Sequence, residues 1–390
     1  MKKAFFYCVL ILLPLLIMEG FFRLLPVSNP PYLLPVSAEH PVARFQPNIE
    51  YLNSWGWNFS IRTRMRTNNF GYNNFWDYHS EDTTPLLMVI GDSFVEALTV
   101  DSGKSAAEIL NSTVSGRGRV YSIGVSGAAL SQYLAFAEFS RNTFRPNAMA
   151  FFVVENDYDE SLLKYAVLPA GRFHYFEESG DGLALRRVDY ERSTIKTFLR
   201  KSAFVRYVML NAQLQRMLYH LGGPSCRSED PYACEEPAAL ERRIADSKRA
   251  VDYFLDQVPA KSGLGGDSIV FVVDALRPAM YSAETLLKAQ NSYVSRMRQY
   301  FMKQARSRGY EILDMQPAFM GKHRLDNSRF EFPTNGHWNE LGNRVVADEI
   351  RKSAVFTRIF YEGPTLTTTA DAGEQQLASP TRRTAGRDRR

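Results

Sequence analysis

The sequence predicts an α/β protein, a three-layer sandwich around a central, mostly parallel five-stranded sheet, with an inserted cap and an apolar N-terminal helix. Three observations point there. Five short apolar runs, at 86–90, 119–123, 148–154, 268–274 and 310–315, have the length and continuity of strands buried on both faces. Stretches with helical apolar spacing separate most of them, the alternation that builds a parallel sheet with helices on both sides. The composition is that of a globular chain of 390 residues, 45% hydrophobic, 23% charged and 13% aromatic. That argues against disorder, collagen-like repeats and a polytopic membrane protein, and it allows one large domain with additions.

Taken in order, the chain begins with a targeting segment. Lys2 and Lys3 precede an apolar run from Ala4 to Met18, and apolar residues resume after Glu19 at Phe21, Phe22, Leu24 and Leu25. Fifteen residues make only ~22 Å of helix, short of a ~30 Å hydrocarbon layer. A Glu19–Arg23 pair at the outer interface would lengthen the span. Residues 1–25 are therefore expected to be an uncleaved, single-pass signal anchor in the cytoplasmic membrane, with a removed signal peptide as the alternative. The two lysines stay inside, which places the remainder in the periplasm or outside the cell.

Residues 26–84 form an extracytoplasmic lead-in rich in Pro and Asn. Arg62, Arg64 and Arg66 alternate there, so on a strand they share one face, either as a solvated edge or as a contact for anionic lipid or acidic glycan. The main domain is expected over 85–355. Its first strand ends in a Gly-Asp-Ser turn followed by a helix-like stretch through Leu110; the second strand is followed by a helix over 128–140. The fourth precedes a helix over about 282–306, and a last helix runs from about 338 to 353. An insertion at about 157–236 interrupts the pattern with a hairpin turning at Gly180–Gly182, a helical run over 197–221, and a polar loop holding Cys226 and Cys234. It is a cap over the strand ends or a peripheral brace. The two cysteines are expected to form a disulfide in an oxidising compartment, two reduced thiols being the alternative. Residues 356–390 lack apolar periodicity and are expected to be a disordered tail.

Charge narrows the partners. The formal charge is +5 from 47 basic and 42 acidic residues, yet five arginines and one aspartate fall in the last ten positions. The body is near neutral, so nucleic acid is not an expected partner. His40, His79, His174, His220 and His323 show no metal-ligand spacing, and neither metal nor cofactor is expected. The glycine clusters at 116–118 and 263–266 read as turns.

The chemistry gathers at the strand ends, where ligands of open α/β sheets bind. They carry Gly91-Asp92-Ser93, Gly124-Val125-Ser126-Gly127 and Glu155-Asn156-Asp157, and the last helix is preceded by Asn335-Gly336-His337-Trp338-Asn339. A serine hydroxyl needs a base within hydrogen-bond reach, and histidine suits that role near neutral pH. Ser93 is the candidate nucleophile and His337 the base. The amides of Ser93 and Gly127 with the side-chain amide of Asn156 are the candidate oxyanion hole, each donor worth roughly 10²–10³ in rate. Asp92 and Asp157 read as structural or solvated.

These blocks resemble the SGNH hydrolases, also called GDSL-like lipases and esterases, of the membrane-anchored bacterial type. GDSFVEA is similar to the first block of that family, GVSGAALSQ to its second, END to its third and NGHWNELG to its last, over roughly residues 60–355. The resemblance implies a flavodoxin-like sheet and gives Ser93, Gly127, Asn156 and His337 the roles already reasoned. One position departs. The family places an aspartate two or three residues before the histidine, where this chain has Asn335 and Thr334. Asn335 can accept the ring N–H without supplying charge, and in a serine protease the corresponding change costs about 10⁴ in turnover. Asp326 or Glu331 folding back is the alternative third member.

The expected activity is that of a serine-dependent acyl-ester hydrolase or O-acyltransferase acting on O-acetylated cell-surface carbohydrate or another ester. The rival is a degenerate, non-catalytic module that binds glycan or an assembly partner.

Overall fold

The computed structural model describes residues 2–166, 173–180, 182–188, 193–214 and 235–362. Five strands, β1 (Leu86–Gly91), β2 (Arg119–Gly124), β3 (Ala148–Val153), β4 (Ile269–Val273) and β5 (Glu311–Asp314), form one sheet in the order β2-β1-β3-β4-β5. All four pairings are parallel, so the mostly parallel sheet expected from sequence is wholly so. Strands β1 to β4 are buried along their whole length, which is why they read as continuous apolar runs.

Alternation along each strand divides two cores. Leu86, Met88 and Ile90 face a layer built by the helices Leu130–Phe144, Pro237–Ser262 and Tyr293–Ser307. Leu87 and Val89 face the helices Ala106–Thr113, Met315–Asp326, Glu340–Lys352 and Ala354–Thr357. After β1 the chain places β2 on one side and β3 on the other. That reversal leaves a crevice at the carboxyl ends of β1 and β3.

Helix boundaries depart from expectation where serines cap. The stretch after β1 splits into Ser93–Glu96 and Ala106–Thr113, because Ala97 turns left-handed (φ 54°) and Ser105 accepts from the Glu108 amide to begin a new helix. The helix expected over 282–306 is likewise two, Ala283–Ala289 and Tyr293–Ser307, begun by Ser282 and Ser292. No element was anticipated for Pro237–Ser262, yet Ile244, Val251, Phe254, Leu255 and Val258 bury one face of it at helical spacing. In the insertion, His174–Ser179 pairs with Gly182–Arg187 as expected, and the described part of the helical run is Thr194–Leu199, Ala203–Arg206 and Tyr207–Asn211. Cys226 and Cys234, with their expected disulfide, lie outside the described residues.

The expected tail is corrected. The chain stays packed beyond 355, since Phe356 and Phe360 are buried on the Glu340–Lys352 side of the sheet. At the other end Lys2–Arg23 forms the expected helix, but among the described residues no helix is long and apolar enough to cross a membrane. Glu19 and Arg23 pair as expected (2.8 Å), and Glu19 also binds the domain. The Glu19 carboxylate accepts from Ser202 Oγ (2.6 Å) and the amides of Ala203 and Phe204 (both 3.1 Å), capping the helix Ala203–Arg206. Phe22 is buried beside Tyr207, ring centres 4.2 Å apart. What precedes Glu19 is the apolar run of fifteen residues, ~22 Å of helix.

Candidate active site

Ser93 opens a single helical turn directly beyond β1. Asp92 follows the strand and caps that turn, its carboxylate accepting from the Phe94 amide (2.9 Å) with its other oxygen 3.1 Å from Ser93 Oγ. The end of β2 passes so close that a Cβ on Gly124 would lie 2.5 Å from the Glu96 nitrogen, so only glycine fits there.

His337 arrives on a short strand, Asn335–Trp338, paired antiparallel with Glu331–Phe332. Its Nε2 is 2.7 Å from Ser93 Oγ, and its Nδ1 is 2.6 Å from Asn335 Oδ1. The tautomer follows from one further contact. The His337 backbone N–H, which can only donate, also points at that Asn335 atom (3.0 Å), so the atom is the amide oxygen. Nδ1 therefore carries the ring proton, and Nε2 is left to accept from Ser93. The same Asn335 contact to the amide two residues on is a local turn, so the orienting group is held by its own loop.

Behind that loop sits a buried ion cluster. Arg277 pairs with Asp274 (2.6 Å) and Glu331 (3.2 Å) and donates to the Gly336 carbonyl (3.0 Å), while Trp338 Nε1 donates to Asp274 (3.0 Å). Burial, and after it the nearby Arg277 guanidinium, lower the His337 pKa to about 4, with Asp274 opposing. Neither alternative third member reaches the imidazole. Glu331 is held by Arg277 and by the Tyr281 hydroxyl (2.6 Å), and Asp326 pairs with Lys322 at the end of its helix.

The three oxyanion candidates surround the crevice. Gly127 sits at φ +83°, a left-handed position suited to glycine, and its N–H has no protein acceptor among the described residues. Asn156 follows β3 and donates one amide hydrogen to Glu160 (3.1 Å), leaving the other for a ligand. The Ser93 amide lies at the start of its helical turn.

Sequence reasoning missed the groups that hold these donors. The buried Glu96 accepts from the Ser126 amide (2.6 Å) and hydroxyl, fixing the loop that ends in Gly127. Its other oxygen faces Asn73 (3.4 Å), which Tyr51 grips through its hydroxyl (2.7 Å). The lead-in is thus bonded into the site. Glu96 stands in the quoted GDSFVEA block, but nothing in the sequence ties it to Asn73, 23 positions away.

Asp92 and Asp157 are both structural and both buried, not solvated. Burial pushes Asp92 up to about 6 and Glu160 to about 7. It also raises Asp157 well above the usual carboxylate range, with Asp92 adding to it, while the Val154 amide (2.8 Å) and the Tyr133 hydroxyl (2.9 Å) donate to that carboxyl.

No family model and no curated protein matches the chain. Solved structures do. A phospholipase A1 from Streptomyces albidoflavus is 13% identical, with 69% of this chain and 99% of that chain covered and a TM-score of 0.36. A lipase/acylhydrolase from Enterococcus faecalis is 8% identical, covering 68% and 93% at a TM-score of 0.35. An acetyl xylan esterase is 10% identical, covering 68% and 97% at 0.37. At these identities and TM-scores, a functional reading rests on the residues described above.

Proposed function

We propose that the protein is a serine acyl-ester hydrolase or O-acyltransferase whose substrate is an O-acylated carbohydrate. The observation that carries this is the line of contacts from Ser93 Oγ to His337 Nε2, and from His337 Nδ1 to Asn335 Oδ1. Ser93 Oγ attacks the ester carbonyl as its proton passes to Nε2. The amides of Ser93 and Gly127 and the free hydrogen of Asn156 receive the developing oxyanion. His337 then returns the proton to the departing alcohol, leaving an acyl-Ser93. Water, or a sugar hydroxyl in a transferase, repeats the sequence in reverse with His337 again as base.

Asn335 holds the tautomer this cycle needs but offers the imidazolium no charge. Slow turnover is the consequence, together with a base that stays neutral well into the acid range. The Lys2-Lys3 start and the apolar run to Met18 support delivery to the far side of the cytoplasmic membrane, where esterified glycans are among the esters within reach.

A fluorophosphonate probe tests the reading. Labelling of the native protein that disappears in Ser93→Ala is the expected result. A folded protein that never labels, or that labels equally after Ser93→Ala, overturns the enzyme and leaves the binding module.

A further inference from the structure

A second opening lies next to the loop that carries His337. A cavity of about 370 Å³ separates the lead-in hairpin, Glu50–Trp55 paired with Ile61–Arg66, from the loop that carries His337. Both catalytic segments run into its wall. The chain leaving the Ser93 helix forms one side at Thr99–Asp101, and Thr99 Oγ1 donates to the carbonyl of Trp338, next to His337 (3.3 Å). On the hairpin, Trp55 faces Ile61 across the pair and donates its Nε1–H to the Thr334 carbonyl (3.3 Å), one residue before Asn335. The opening therefore adjoins the loop that carries His337, two residues along the chain from it at Asn339.

Its lining selects a chemistry. Ile61, Phe332 and Leu341 supply apolar surface, while Arg62, Asp101 and Glu340 supply charge of both signs. Asp101 already accepts from the Arg64 amide (3.1 Å) and Glu340 pairs with Lys104 (3.3 Å), whereas the exposed Arg62 guanidinium has no partner among the described residues. An anionic polymer would meet two carboxylates. A long acyl chain would strip water from three charged groups without bonding them. A neutral sugar ring meets neither objection, because its C–H face packs on apolar side chains and its hydroxyls both donate and accept.

We propose that this groove is a subsite for a neutral oligosaccharide, holding sugar units adjacent to the one that carries the ester at Ser93. The placement of the ester rests on the hydrolase reading; binding of the sugar does not. The test uses xylopentaose and mannopentaose, unmodified for binding and O-acetylated for turnover. Two variants address the groove, Arg62→Ala, which removes its unpaired donor, and Ser60→Trp, which fills the opening from an exposed position.

With O-acetylated pentaose, KM should rise at least ~10-fold in each variant with kcat within ~2-fold, the mark of binding lost equally in ground and transition states. Relative to p-nitrophenyl acetate, kcat/KM should fall by the same factor. In a Ser93→Ala background, calorimetry should show the dissociation constant for unmodified pentaose rising in parallel. Failure of both pentaoses to bind the Ser93→Ala protein, or unchanged binding and KM in both variants, overturns the groove. Pentaose binding that responds to Arg62→Ala in a protein without esterase activity or probe labelling would overturn the hydrolase reading and leave the groove standing.

Discussion

The two walls of the crevice shift their titrating groups in opposite directions. On the nucleophile side, Ser93 and Asn156 stand over three buried or half-buried carboxyls, Asp92, Asp157 and Glu160, all held above the usual carboxylate range. On the base side, His337 sits near the Arg277 guanidinium and is held below the usual histidine range. Each wall thus favours the uncharged form of its own titrating groups. A neutral imidazole facing partly protonated acids lets the site stay intact over the mildly acidic range, at the expense of the imidazolium that acyl transfer must pass through.

The largest expected effect comes from breaking the base wall. Arg277→Met strands Asp274 and Glu331 without a counter-charge and frees the Gly336 carbonyl, a change of a kind that costs about 3–5 kcal/mol. Thermal unfolding should show it as a fall of roughly 10 °C. An unchanged midpoint would mean that the cluster does not hold the loop.

On the nucleophile wall, Asn156→Ala removes one oxyanion donor. kcat on an aryl acetate should fall by about 10²–10³ with little change in KM. A loss confined to KM would remove Asn156 from the oxyanion hole.

Asn335→Asp sharpens the contrast by giving the imidazolium its missing partner. Turnover should rise at least ~10-fold, well short of the ~10⁴ separating Asp from Asn where the loop is shaped around a carboxylate. The acid limb of kcat/KM, expected near pH 4 from His337, should move upward because a carboxylate favours the protonated ring. A faster variant with an unmoved limb would detach the gain from His337.

The smallest effect concerns pH and stability, where the walls have opposite signs. His337 is depressed in the fold, so its contribution is full above the unfolded value near 6.5 and is lost as pH falls toward about 4. Glu160 is raised, so its contribution is full below about 4.5 and is lost as pH rises toward about 7. Glu160→Gln should therefore gain on the native protein between pH 4.5 and 7, by roughly 5 °C in midpoint. A gain that shrank as pH rose would reverse the sign assigned to this wall.

Local sequence made much of the site legible. Ser93, Asn156 and His337 each follow or precede a recognisable element, and short loops deliver side chains at strand ends wherever the sheet is parallel. Asn335 was legible for the same reason, since its bonds to His337 stay within two residues. Glu96 with Asn73, and Arg277 with Glu331, were not, because a buried carboxylate or guanidinium is paired by whatever the fold brings near. The C-terminus erred for that reason too. Phe356 and Phe360 read as tail until the sheet gave them a surface, and nothing local tied Glu19 to the helix Ala203–Arg206.

The sequence by itself determined the alternation of strands and helices and the residue types set at the strand ends, because apolar period and turn chemistry act over a few positions. Only the tertiary structure decided the protonation of those residues. Desolvation and charge pairing depend on distances between segments far apart in the chain, and these make His337 a weakly basic ring and Glu160 a reluctant acid.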